Sequence, residues 1–181
     1  MSKNSFEPFL DGKNIYLRGV RIDDVSGNYY NWMNDCEVNQ YLESRFYPWS
    51  KEKLLEYVNR INSDPDYVFL AIIQKEDNIH VGNIKLGPIN WIHRVTDIGI
   101  IIGEKSIWGK GYATEAINLV TDYAFKKLNL HKLTAGCYKE NIGSQKAFEK
   151  NGYVIEGVRK SHYFLNGNYT DLILMGIINE K

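Results

Sequence analysis

The stretch Trp108-Gly109-Lys110-Gly111-Tyr112-Ala113-Thr114-Glu115-Ala116 decides the reading of this chain. It lies between an apolar run and a long amphipathic segment. Glycines at 109 and 111 permit a tight backbone turn. The first amides of the following helix have no acceptor inside it, and the helix dipole favours negative charge at that end. The stretch therefore predicts a phosphate-bearing ligand. No Gly-Lys-Ser/Thr closes a Walker loop here, and the loop is not the Gly-x-Gly-x-x-Gly of a dinucleotide fold. A plain glycine-rich turn is the alternative on this stretch alone.

Working outward, the next segment, residues 112–128, carries Ala113, Ala116, Ile117, Val120, Ala124 and Leu128 at helical spacing, so one face is buried. Lys126 and Lys127 suit its C-terminal end. Residues 92–102 precede the loop and end in Ile98-Gly99-Ile100-Ile101-Ile102, an apolar run that fits a central strand covered on both faces. Strands are also predicted at 15–20, 67–73, 81–86, 131–138, 153–158 and 170–178, with the hairpin-like turn Asn166-Gly167-Asn168 between the last two. Helices are predicted at 25–33, with Asp23 or Asp24 as its cap, and from Ser50 to about residue 61. Asn141 and Ser144 open a short helix that Asn151-Gly152 closes. The order reads as one α/β domain over residues 1–181 with a mostly antiparallel sheet.

Composition bounds the function. A chain of 181 residues builds one substantial core. Basic and acidic residues balance at 22 each, and no dense basic run marks a nucleic-acid partner. Cys36 and Cys137 suggest neither a disulfide framework nor a zinc site. His80, His93, His131 and His162 have no ligand spacing, so no metal is expected. No secretory stretch and no 18-residue apolar run is present, which predicts a cytoplasmic, non-membrane setting. Thirteen tyrosines and four tryptophans supply rigid walls for a cleft as well as core.

The order and the motifs resemble the GNAT family of acetyl-coenzyme-A-dependent N-acetyltransferases, over nearly the whole chain. The likeness is greatest to the subgroup of ribosomal-protein alanine, spermidine and nucleotide-amino-sugar acetyltransferases. The family's pyrophosphate loop, Arg or Gln, two residues, Gly, one residue, Gly or Ala, corresponds to Trp108-Gly109-Lys110-Gly111-Tyr112-Ala113, with a departure at the first position. Asn141-Ile142-Gly143-Ser144-Gln145-Lys146-Ala147-Phe148-Glu149-Lys150-Asn151-Gly152-Tyr153 resembles the family's second element. The resemblance implies the acyl-CoA N-acyltransferase fold, a mixed seven-stranded sheet flanked by helices, with two central parallel strands that splay. It places pantetheine beside Ile100, Ile101 and Ile102, phosphates on residues 108–113 with Thr114, and the pantetheine end near Asn141, Ser144 and Phe148. It also implies a ternary complex in which the acceptor amine attacks the thioester directly.

Asp97 stands where the family has a general-base glutamate. Pairing with Arg94 is the structural alternative. Many relatives carry a tyrosine acid where this chain has Phe148, which has no proton to give. Ser144 or Tyr138 is then the candidate donor, with local capping the alternative for Ser144. Tyr41, Arg45, Phe46 and Trp49 are candidates for one acceptor wall, and Trp91, His93 and Tyr163 for the other. Arg45 suggests a phosphate or carboxylate on the acceptor. The leading expectation is a small amine such as a nucleotide-linked amino sugar. Protein N-termini, polyamines and a catalytically weak acetyl-CoA-binding protein are the alternatives. A homodimer stays open.

Overall fold

The computed structural model describes residues 8–180. Its strands are β1 (Leu10–Asp11), β2 (Ile15–Gly19), β3 (Val68–Gln74), β4 (Ile79–Leu86), β5 (Val95–Ile102), β6 (Lys132–Tyr138), β7 (Val154–Leu165) and β8 (Asn168–Ile178). They form one sheet in the order β1-β2-β3-β4-β5-β6-β8-β7. Every neighbouring pair is antiparallel except β5 with β6. The sheet has eight strands where seven are expected. The added one is the two-residue β1 on the edge of β2.

The parallel pair is short. Val95, Thr96 and Asp97 face Lys132, Leu133 and Thr134, and the pairing then stops. β5 continues along β4 as far as Ile102, and β6 continues along β8 as far as Tyr138. The two strands therefore separate beyond Asp97 and leave a gap in the middle of the sheet.

Helices cover both faces. The helix α1 (Ile22–Asp24) runs through a π turn, Val25–Tyr29, into α2 (Tyr30–Asn34). The single helix expected at 25–33 is thus broken, because Gly27 leaves helical geometry at ψ −141°. Asp24 does not precede the helix as its cap but reaches back to the Arg21 amide at 2.7 Å. α3 (Lys51–Ser63) starts where Ser50 accepts from the Lys53 amide. These elements pack with Phe69, Ala71 and Ile73 on one face of the sheet. α4 (Tyr112–Lys126) and α5 (Ile142–Glu149) pack with Ile98, Leu133, Ala135 and Cys137 on the other. Ile117 and Val120 of α4 are buried, and each such side chain contributes about 1.5–3 kcal/mol.

β5 begins at Val95 rather than at residue 92, because Arg94 turns the chain at φ 55° and Asn90 bridges to Val95. β7 outruns its expected end and carries irregularities at 155/157 and 159/163. Those bulges let Tyr163 lean over the neighbouring strands.

Candidate active site

The loop before α4 is shaped by its glycines. Gly109 and Gly111 sit at φ 78° and 88°, where an L side chain is strained, and a Cβ at either would meet open space. Among the described residues, the amides of Gly109, Gly111, Tyr112, Ala113 and Thr114 donate to no backbone carbonyl outside α4, and Glu115 is the first to close the helix, on Gly111. That cradle of free donors at a 15-residue helix fits a pyrophosphate. Trp108, at the departing first position, is half-exposed and ties the loop to the end of β5 by donating to the Ile102 carbonyl at 2.9 Å.

The gap beside β5 has two unlike sides. Strand alternation sends Ile98, Ile100 and Ile102 towards α4, and Asp97, Gly99 and Ile101 towards α1–α3. On β6, Cys137 faces the α4 side, while Thr134, Gly136 and Tyr138 face the other. Asp97 is exposed, and it accepts from the Thr134 hydroxyl at the point where the strands part. Arg94 instead reaches the Asn129 carbonyl. Gly99 and Gly136 next to Asp97 are exposed and leave the floor bare.

Ser144 lies on the α4 side. Asn141 caps α5 by accepting the Ser144 amide at 3.2 Å, so the Ser144 hydroxyl is not the cap. That hydroxyl lies 3.5 Å from the Cys137 sulfur. Burial pushes the Cys137 thiol pKa up, against the Ser144 hydrogen bond. Phe148 is a core residue, 2% exposed and edge-on to Tyr153 at 5.0 Å. It can back the site only from within the core.

Tyr138 is committed elsewhere. Its hydroxyl donates to Glu43 at 2.6 Å and accepts from Arg45 at 2.8 Å. Burial and the Glu43 carboxylate push its pKa up to about 12, opposed by Arg45. It stacks on Tyr163 with ring centroids 4.2 Å apart. Burial raises the Tyr163 pKa, and the Glu43 and Asp97 charges raise it further, so both carboxylates lie within electrostatic reach of one hydroxyl.

The expected acceptor residues divide. Tyr41 joins Tyr138 and Tyr163, its ring 5.6 Å from Tyr138. Arg45 comes there too, but its guanidinium is taken up by the Leu42 and Phe164 carbonyls and the Tyr138 hydroxyl. It clamps the wall and presents no free fork. Phe46 lies under that guanidinium, half-exposed. Trp91 and His93 are not brought to this wall. They sit in the turn before β5, at the closed end of the strand pair, where Trp91 donates to Asp66 and the His93 amide to Asn90.

Trp49 lines a cavity of about 200 Å³ between α3 and strands β4 and β5. Asn83 and Lys85 of β4 and Gly99 of β5 line it as well. None of these three was expected from the sequence. A polar Asn83 inside the apolar run at 81–86, in step with Lys85, was the available signal. The indole N–H of Trp49 and the side-chain amide nitrogen of Asn83 are buried without a partner, at about 1–3 kcal/mol each.

The acetyltransferase (GNAT) domain family matches residues 14–154. The chain belongs to the GNAT family. It is 29% identical over 180 residues to the probable N-acetyltransferase YjcK of Bacillus subtilis, covering 94% of this chain and 97% of that one. It is 39% identical over 152 residues to the spermidine N(1)-acetyltransferase of Vibrio cholerae, covering 84% and 86%. The crystal structure of spermidine N-acetyltransferase from Vibrio cholerae in complex with CoA and spermine aligns with a TM-score of 0.83 at 30% identity, over 93% of this chain and 97% of that one. This GNAT protein is an acetyl-coenzyme-A-dependent N-acetyltransferase. Among the described residues, no helix is long and apolar enough to cross a membrane.

Proposed function

We propose that the acceptor is a polyamine, and that transfer occurs by direct attack in a ternary complex. The relatives named for spermidine favour this acceptor over a nucleotide-linked amino sugar. The observation that carries it is two exposed carboxylates beside stacked aromatic rings: Glu43 accepts from the Tyr138 hydroxyl at 2.6 Å, Tyr138 stacks on Tyr163, and Asp97 stands where β5 and β6 part. Ammonium groups are attracted by carboxylates and by aromatic faces alike. The carboxylates of Asp35 and Glu37 add little, because Lys105 holds both, at 2.9 and 2.7 Å.

Acetyl coenzyme A supplies the activated acetyl thioester. The amides of residues 109 and 111–114 would hold its phosphates, and the free edge of β5 at Ile100–Ile102 its pantetheine. Asp97, on the α1–α3 side, takes a proton from the incoming amine directly or through water. Ser144, on the opposite side, offers the hydroxyl that returns a proton to the departing sulfur. Tyr138 is less suited, since its proton is engaged by Glu43 and its pKa stands far above neutrality. Direct transfer needs no acylated residue, and the buried, protonated Cys137 supports that reading.

The test is thiol release and product mass with acetyl coenzyme A and a panel of spermidine, spermine, diamines, amino sugars and peptide N-termini. Polyamines are expected to give the highest kcat/KM. Coenzyme binding with no polyamine turnover would overturn the acceptor reading.

A further inference from the structure

We propose that the cavity between α3 and strands β4 and β5 is a subsite for a small anionic oxygen group, a carboxylate or phosphate, so that the enzyme also acetylates primary amines carrying such a group. The inference rests on the acetyltransferase chemistry and goes beyond the polyamine reading.

The first observation is a coincidence of donors. Among the described residues, the only buried side-chain nitrogens or oxygens without a partner are Trp49 Nε1 and Asn83 Nδ2, and both residues line this one cavity. The orientation of Asn83 is fixed from behind. His80 Nε2 lies 2.9 Å from both the Gly82 carbonyl and Asn83 Oδ1. A carbonyl only accepts, so Nε2 carries the proton and Oδ1 is the acceptor. Burial lowers the His80 pKa, which suits the neutral ring. The amide NH2 of Asn83, a residue 2% exposed that lines the cavity, is left as a buried donor with no partner.

The second observation is charge. Lys85 donates to the Tyr57 hydroxyl at 3.0 Å and lies 5.5 Å from that ring, and no carboxylate among the described residues lies within salt-bridge distance of it. No acidic residue lines the cavity. Three donors, one of them charged, in a lining without a carboxylate favour an oxyanion over an ammonium. About 200 Å³ is smaller than an ordinary ligand pocket of ~300–1,000 Å³, which suits one small group of a larger molecule.

The third observation is position. Gly99 lines the cavity and lies two residues from Asp97 on the same face of β5. Two residues along a strand span about 7 Å, a reach for a linker of about four to six bonds between amine and anion. In the reaction the amine nitrogen forms the bond to the acetyl carbon and the carbon–sulfur bond breaks. The sulfur leaves with the electron pair and takes up a proton, and the nitrogen gives up its proton to Asp97 or water.

The experiment compares 5-aminopentanoate, an aminoalkyl phosphate of equal length, 1,5-diaminopentane and pentylamine. kcat/KM is measured for the parent enzyme and for Lys85→Met and Asn83→Leu, each checked for folding by circular dichroism. We expect either anionic amine to exceed pentylamine at least tenfold, with the better of the two identifying carboxylate or phosphate. Lys85→Met should raise KM for the anionic amine tenfold or more and leave pentylamine and the diamine within about twofold. Calorimetry with glutarate and coenzyme A should show binding that Lys85→Met abolishes. Anionic amines no better than pentylamine, together with no glutarate binding, would overturn the subsite while leaving polyamine turnover untouched. Anionic turnover with no polyamine turnover would overturn the polyamine reading alone.

Discussion

Replacing Gly111 by valine isolates what the loop before α4 contributes. Gly111 sits at φ 88°, ψ 2°, and a Cβ there meets nothing within 4 Å. The cost is therefore backbone strain, about 1–2 kcal/mol. For a chain of this length that lowers Tm by about 2–8 °C. Relieving the strain rotates the two peptides flanking the Gly111 Cα, which carry the Gly111 and Tyr112 amides, away from the cradle. Each charge-assisted hydrogen bond lost is worth about 1.5–3 kcal/mol. One such loss weakens coenzyme A by about 10–150-fold. Gly167 is the matched control: it has φ 85° and open space at its Cβ, but lies in the β7–β8 turn. Gly167→Val should reproduce the Tm shift without the affinity loss. Calorimetry with coenzyme A and thermal unfolding of both variants decide the matter. Equal Tm shifts with parental affinity for Gly111→Val would refute the cradle.

Asp97→Asn should lower kcat by about 10²–10⁴-fold and flatten the pH–rate profile while coenzyme affinity holds; a parental profile would leave proton removal to water. Asp24 is 8% exposed, and its pKa is lowered: burial opposes the shift, but the hydrogen bonds from the Arg18 side chain and the Arg21 amide, with the Arg18 charge, outweigh it. The stability from this shift is fully present above the unfolded carboxyl value of about 3.9 and is lost as pH falls through the lower folded value. Asp24→Asn, which leaves Arg18 buried without its ion, should cost about 3–5 kcal/mol in denaturant unfolding at pH 7 and weaken that acid dependence. Phe148→Tyr should not raise turnover, because the new hydroxyl would enter the core beside Tyr153, whereas Ser144→Ala should lower kcat with coenzyme Kd unchanged; a large gain from Phe148→Tyr would show that the parent lacks an acid.

What the sequence discloses here follows the range of the forces involved. Gly109, Gly111 and the apolar stripe of α4 are local signals, and they place loop and helix to within two residues. The Asn141 cap and the Gly152 terminator are equally local. The kink at Gly27 and the late start of β5 at Val95 depend on backbone angles that composition does not encode. The cleft is less legible because its partners are distant in the chain. Arg45 reads as a free anion fork until Tyr138 and Phe164, 93 and 119 residues away, claim its donors. Trp91 reads as a cleft wall until Asp66 takes its N–H. Asn83 carries no motif, and its unpaired nitrogen becomes visible only when His80 fixes the amide.

The short pairing of β5 with β6 has a mechanical consequence. Three residue pairs, Val95 to Asp97 against Lys132 to Thr134, are the whole seam between a half-sheet of five strands and one of three. Beyond them the ladder has no rungs. α4 packs against β2, β4 and β5 of the larger half, and against α5. A ligand that bonds to both exposed edges supplies the missing rungs and stitches the halves together. Its binding energy then adds to the cohesion of the sheet as RT ln(1 + [L]/Kd). Loading is therefore expected to raise the unfolding temperature, and release of such a ligand reopens the gap beyond Asp97 while the three-pair seam stays closed.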